Sequence, residues 1–306
     1  MRPFPQPVAE FCLGDVLLRF RSPDSVSSIL VREWLPDWRP PTEQPEHVLV
    51  DLRSTRSLPD QPYGTRVVDL PGLSYWRSDK GLTITGELAA GHLSAARDHI
   101  YVWWTPGSSI ALHTALNRCL RPLMSLAVAR HGLHPVHAGS VSVDGSAVAL
   151  LGSSGAGKST LAGRMADLGA TFMSDDTSFV TAGPARLIGL RDYNRPRTEP
   201  DRDDGTEAPR LRVRRRTDNR LLPVRRVLAL ERGRHAKATV RPMPSEELMA
   251  WLVKSGTFGL DPRTDRERLL VLSRFASAVP ALVVTLGDEH PGADTIREWM
   301  GAGTYE

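Results

Sequence analysis

Between Gly152 and Thr160 the chain reads Gly-Ser-Ser-Gly-Ala-Gly-Lys-Ser-Thr, and Gly152 to Ser159 fits the spacing G-x-x-x-x-G-K-[ST]. That spacing suits one task. Small residues let consecutive backbone N–H groups curl around phosphate oxygens, and a helix starting at the lysine turns its positive end toward them. Gly152, Ser153, Ser154, Gly155, Ala156, Gly157, Lys158, Ser159 and Thr160 are therefore the candidate nucleotide-binding residues. Lys158 is expected to reach the β and γ phosphates of ATP, and the Ser159 hydroxyl to face a magnesium ion. Asp175 and Asp176 follow, flanked by Ser174 and Thr177. Two carboxylates so placed can divide the work of phosphoryl transfer, one helping to hold magnesium and the other accepting the proton of a substrate hydroxyl. Ser159 and Asp176 are the candidate metal ligands, and the division of roles between the two aspartates stays open.

These residues need elements to position them. The apolar run Ala147 to Leu151 enters the loop as a strand, and Leu161, Met165 and Leu168 recur at helical spacing after it, with Gly169 placed to cap the helix. Asp144-Gly145 lies between two alternating apolar runs, a two-residue hairpin signal. That turn sets Val143 opposite Ser146 and, if the ladder continues, His137 opposite Gly152. An imidazole would then stand at the mouth of the phosphate loop, which makes His137 a catalytic candidate beside Lys158, Asp175 and Asp176. The segment ATFMSDDTSFV reads as strand, acidic pair, strand. The aspartates thus fall at the carboxyl end of a strand expected next to the loop strand, where α/β sheets bind ligands.

The rest of the chain is less informative about chemistry. Strands are expected at 13–20, 47–52, 65–69, 72–77, 81–85 and 100–104, with helices at 23–34 and 87–97. This is a small, mostly antiparallel N-terminal sheet, with Trp34, Trp38, Tyr75 and Trp76 read as its core. A helical region at 108–130 should break near Arg121 because Pro122 lies inside it. The expected division is an N-terminal β-rich domain at 1–99, suited to acceptor recognition, and a catalytic domain at 100–306. Residues 192–220 are charged and rich in Pro and Gly, and read as a long mobile loop. Arg210, Arg212, Arg214, Arg215 and Arg216 within it could clamp a triphosphate or an acidic partner, or simply form a solvated charged loop. Strands at 224–233 and near 240, helices at 244–254 and 263–278, strand 281–286 and a helix at 292–300 complete the sheet.

Composition narrows the class. The net charge is +4, from 39 basic against 35 acidic residues of 306, and both signs are spread along the chain. Two cysteines far apart, Cys12 and Cys119, indicate neither a disulfide framework nor a metal site. No run approaches a membrane span, and the first residues lack the apolar segment of a signal peptide, so a cytoplasmic protein is expected.

Taken together, His137 in HAGSV, the hairpin, GSSGAGKST and the acidic pair in SDD resemble the C-terminal catalytic domain of HPr kinase/phosphorylase and its smaller relatives encoded beside peptide-modifying enzymes. The resemblance covers about residues 130–182. It implies an α/β fold of the P-loop kinase type related to phosphoenolpyruvate carboxykinase, in which the aspartates, the loop lysine and the histidine surround the transferred phosphoryl group. Those roles fall on Asp175, Asp176, Lys158 and His137. The family's Ile-Glu-x-Arg-Gly segment has only an echo in residues 187–191, with Gly189 where the glutamate stands, and Thr160 replaces a glutamate common in the carrier-protein kinases. Relatives in lasso-peptide gene clusters phosphorylate a serine of a precursor peptide. The resemblance thus implies an ATP- and magnesium-dependent kinase acting on a serine-type hydroxyl of a peptide or small protein. A small-molecule kinase and a non-catalytic nucleotide-binding module are the alternatives. Partners are expected to be a nucleotide and that acceptor rather than a nucleic acid or a membrane, with homo-oligomerisation left open.

Overall fold

The computed structural model describes residues 9–22, 46–59, 64–106, 111, 114–190, 220–233, 237–255, 260–289 and 291–301. The helix expected at 23–34, Trp34, Trp38 and the arginines at 210, 212, 214, 215 and 216 lie outside the described residues. In chain order the strands begin with β1 (Ala9–Leu13), β2 (Val16–Arg21), β3 (Glu46–Ser54), β4 (Thr65–Leu70), β5 (Leu73–Ser78), β6 (Gly81–Gly86), β7 (Ala89–Ser94) and β8 (His99–Trp104). A π-helix (Thr114–Leu120) and α1 (Arg121–Ala129) follow, then β9 (His134–Val136), β10 (Gly139–Val143), β11 (Ser146–Leu151), α2 (Lys158–Asp167), β12 (Thr171–Ser174), β13 (Thr177–Ala182) and β14 (Ala185–Leu190). The chain ends through β15 (Leu222–Arg232), β16 (Thr239–Pro242), α3 (Ser245–Lys254), α4 (Pro262–Ala278), β17 (Ala281–Leu286) and α5 (Ala293–Trp299). The fold is mixed α/β. Its contacts fall into two units, Met1–Val136 with Phe179–Ala185 and Met249–Ala278, and His137–Ser178 with Arg186–Leu248 and Val279–Glu306. Among the described residues no helix is long and apolar enough to cross a membrane.

In the first unit the strand order is β1-β2-β3-β8-β7-β6-β5-β4, antiparallel except where β3 runs parallel to β2 and to β8. Alternation separates the two faces. Leu18, Phe20, Val48, Val50, Ile100 and Val102 are fully buried on one, and Tyr75 joins this core. The π-helix and α1 pack on β7 and β8. Pro122 sits in the first turn of α1, directly after the π-helix, so the expected break appears as a change of helix type at Arg121 rather than an interruption. The helix expected at 87–97 is instead strand β7. Its Ala-rich sequence favours helix, but pairing with β6 and β8 on either side decides the outcome. On the opposite face a register row runs across the sheet: Arg21, Asp51, Tyr101, His92, Thr83, Trp76 and Arg66. Trp76 therefore lies on this face rather than in the core, its Nε1 donating to Thr85 Oγ1 at 3.0 Å. Burial raises the Asp51 carboxyl, but hydrogen bonds from His99 and Arg21 outweigh it and hold the group below its ordinary value.

His134 is 2 % exposed, and burial, reinforced by the Arg268 charge, pushes its pKa down to about 4. The unfolded chain therefore binds the proton more tightly than the folded one. Stability is expected to fall as pH drops from about 6.5 to about 4, by about 3 kcal/mol in all, and to level off below for this group. Urea unfolding of wild type and His134→Gln at pH 7 and pH 5 checks this; an equal acid loss in both proteins refutes it.

In the second unit the order is β12-β10-β11-β15-β17-β16. β10 and β11 form the expected hairpin, Val143 facing Ser146 and Gly139 facing Leu150, with Asp144 and Gly145 at φ 48° and 75° in the turn. β15 and β17 run parallel to β11 and to each other. One correction concerns β12: it pairs with β10, not with the loop strand. Two successive antiparallel pairings still give β12 and β11 the same direction, so their carboxyl ends share one edge of the sheet. Val148 and Leu150 of β11, Leu228 and Leu230 of β15 and Val284 of β17 pack with Leu161 and Met165 of α2 and Trp299 of α5 in one core.

β14 has no counterpart among the strands expected from the sequence, and Gly189 lies in it. A Cβ at Gly189 would stand 2.6 Å from the Met173 carbonyl carbon and 2.7 Å from its oxygen, so no side chain fits without displacing β12. Gly189→Ala should cost about 1–3 kcal/mol of stability, read as a lower urea midpoint. A midpoint equal to wild type would show that β12 is not held this closely.

Candidate active site

The loop between β11 and α2 takes its shape from its glycines. Gly152, Gly155 and Gly157 have φ of 152°, 80° and 103°. At Gly152 the constraint is also spatial, since a Cβ would meet the Ala156 Cβ at 2.9 Å and the Leu230 oxygen at 3.0 Å. Ala156 is buried and fastens the loop to the core, while Ser153, Ser154, Gly155, Ser159 and Thr160 are exposed. α2 begins at Lys158 without a side-chain cap, which leaves its first N–H groups for a ligand.

Lys158 is only 7 % exposed. Its Nζ donates to the carbonyls of Gly152 at 2.7 Å and Ser153 at 3.2 Å, and lies 3.4 Å from His137 Nε2. An ammonium only donates, so Nε2 accepts and Nδ1 carries the imidazole proton. Nδ1 faces Asp176 Oδ1 at 3.1 Å. Cation, imidazole and carboxylate thus form a continuous polar chain beside the loop. The ladder itself ends at the pair Gly139 and Leu150, so His137 and Gly152 are not a strand pair. They are brought together through Lys158 instead.

The acidic turn is held from below by Ser174, fully buried at the end of β12. Its Oγ lies 2.7 Å from the Thr177 carbonyl and 2.8 Å from the Leu190 carbonyl, and accepts from the N–H groups of Asp176 and Thr177. Ser178 Oγ, 3.0 Å from Ser140 Oγ, donates to the Ala138 carbonyl and fixes the following strand against the segment that carries His137. Asp175 and Asp176 are half-buried. The Asp175 backbone oxygen lies where only a glycine at position 139 leaves comfortable room, 3.3 Å from a built Cβ.

Among the described residues no group of three or more His, Cys, Asp or Glu could hold a metal by itself. Magnesium in nucleotide sites takes one or two protein oxygens and fills its octahedron with phosphate and water. An exposed Ser159 hydroxyl and the Asp176 carboxylate suit that sparse donor set. One residue was missed by sequence reasoning: Arg232, at the end of β15, whose Nε donates to the Gly155 carbonyl at 3.0 Å. The signal was present, a basic side chain closing a strand that runs parallel to the loop strand.

No protein-family profile and no curated protein sequence matches this chain. Among solved structures it is similar to one described as "Structure of the Hpr(Ser) kinase/phosphatase from Coxiella burnetii", at 13 % identity over 55 % of this chain and 87 % of that one, with a TM-score of 0.27.

Proposed function

We propose that the protein is an ATP- and magnesium-dependent kinase that phosphorylates a serine-type hydroxyl on a peptide or small protein, with the architecture of the HPr kinase and phosphoenolpyruvate carboxykinase group. The observation that carries the reading is the chain Lys158, His137, Asp176 beside a glycine loop of nucleotide-binding shape. The loop N–H groups and the N-terminus of α2 hold the phosphates, and Lys158 neutralises charge on the phosphoryl group in flight. Ser159 and Asp176 would hold magnesium, which would supply further neutralisation when bound. The acceptor oxygen forms the new bond to phosphorus, the bond to the ADP oxygen breaks, and a carboxylate of the Asp175–Asp176 pair takes the hydroxyl proton. His137 keeps Asp176 in place through Nδ1–H.

Acceptor recognition is assigned to residues 1–99, supported by the polar and aromatic row from Arg21 to Arg66 on one sheet face. A cytoplasmic location follows from the same reading. To test the substrate class, the protein is mixed with ATP, magnesium and either a panel of serine-containing peptides, including any precursor encoded beside its gene, or pooled small alcohols and free serine. Mass spectrometry should find a phosphoryl gain on peptide. Phosphorylated metabolites with unmodified peptides would replace the peptide reading, and ATP binding without any transfer would replace the kinase by a nucleotide-binding module.

A further inference from the structure

Arg232 ends β15, which runs parallel to β11, so both strands deliver their last residues to the same edge of the sheet. Alternation fixes the direction of its side chain. Leu228 and Leu230 are buried in the core that includes Leu161 and Met165 of α2, and Arg232 is the next residue on that face. It therefore stands beside the phosphate loop, where its Nε donates to Gly155. That bond uses one of five guanidinium hydrogens. The two Nη groups make no hydrogen bond among the described residues, and the residue is exposed.

The strand order places this cation on the side of the loop away from His137 and Asp176. Those two belong to the segments around β10 and β12, whereas Arg232 comes from β15, across β11. We infer that Arg232 is the second cation of the phosphate site, its Nη groups hydrogen-bonding the terminal phosphates of a nucleoside triphosphate from the side opposite Lys158. This rests on the nucleotide reading above. A guanidinium is always charged and matches two phosphate oxygens at once. Anchoring Nε on a loop carbonyl fixes the plane of the fork before the ligand arrives, so less side-chain freedom is lost on binding.

The test is calorimetric titration of AMP, ADP and ATP, each with magnesium, into the full chain as wild type and as Arg232→Ala, with thermal melts to confirm equal folding. Because hydrogen bonds to charged groups are the strong ones, ATP affinity should fall at least about 10-fold while AMP affinity stays within about 2-fold, ADP lying between. Arg232→Gln, which is neutral but keeps much of the chain length, should behave as the alanine variant does. An unchanged ATP affinity overturns the inference. A uniform loss across all three nucleotides overturns it too, because it would make Arg232 a brace for the loop. Wild type that binds none of them overturns the nucleotide reading itself, which separates the two failures.

Discussion

Lys158→Ala should lower the rate of phosphate transfer by at least about 10³-fold, some 4 kcal/mol of transition-state stabilisation, while the protein stays folded. The size follows from where the ammonium sits. It is nearly buried, and it touches two loop carbonyls and the imidazole that holds Asp176, so its charge acts through a medium less polarisable than water. Folding should survive, because the carbonyls of Gly152 and Ser153 belong to a loop whose outer residues are exposed and water can replace the lost donor. Steady-state rates and a thermal melt on the same preparation check both halves. Activity within about 10-fold of wild type would remove Lys158 from the reaction.

The second large effect is expected at Asp176. Asp176→Asn keeps the shape and leaves an oxygen for His137 Nδ1–H, but removes the negative charge that the proposed reaction uses to hold a metal or take a proton. Transfer should fall about 10²- to 10⁴-fold, while ATP affinity changes only a few-fold. His137→Gln should cost less, because in the proposed reaction the imidazole, whose Nδ1 faces Asp176, positions that carboxylate rather than touching the phosphoryl group. The double variant should be little worse than Asp176→Asn alone, since the two residues form one unit. Full additivity of the two losses would show that His137 and Asp176 act separately.

The parts of the site that local rules govern were legible in the sequence. The loop, its helix and the Asp144-Gly145 turn each carry their geometry in residues close together, and the hairpin register follows from the turn alone. So do most elements after residue 220. What escaped depends on long-range pairing. Ala89–Ser94 looks helical in isolation and becomes a strand because β6 and β8 offer it hydrogen bonds on both edges. β12 pairs with β10 rather than β11, since β11 already has β15 on its other side, and nothing within ATFMSDD announces β15. His137 meets Lys158 rather than facing Gly152, because the ladder stops at Gly139 and leaves the imidazole to reach around the loop. Gly189 stands where the family resemblance puts a glutamate, yet the position has no space for any side chain while β12 runs beside it.

Whether the loop holds a triphosphate whose terminal phosphoryl group is the one transferred can be settled by following two labels. The protein is incubated with magnesium, the acceptor panel and ATP labelled either at the γ or at the α phosphorus, and the label in acceptor is counted. Label from the γ position should enter a peptide and label from the α position should not. Transfer of the α label would make the chemistry nucleotidyl transfer, and no transfer of either label would contradict the kinase.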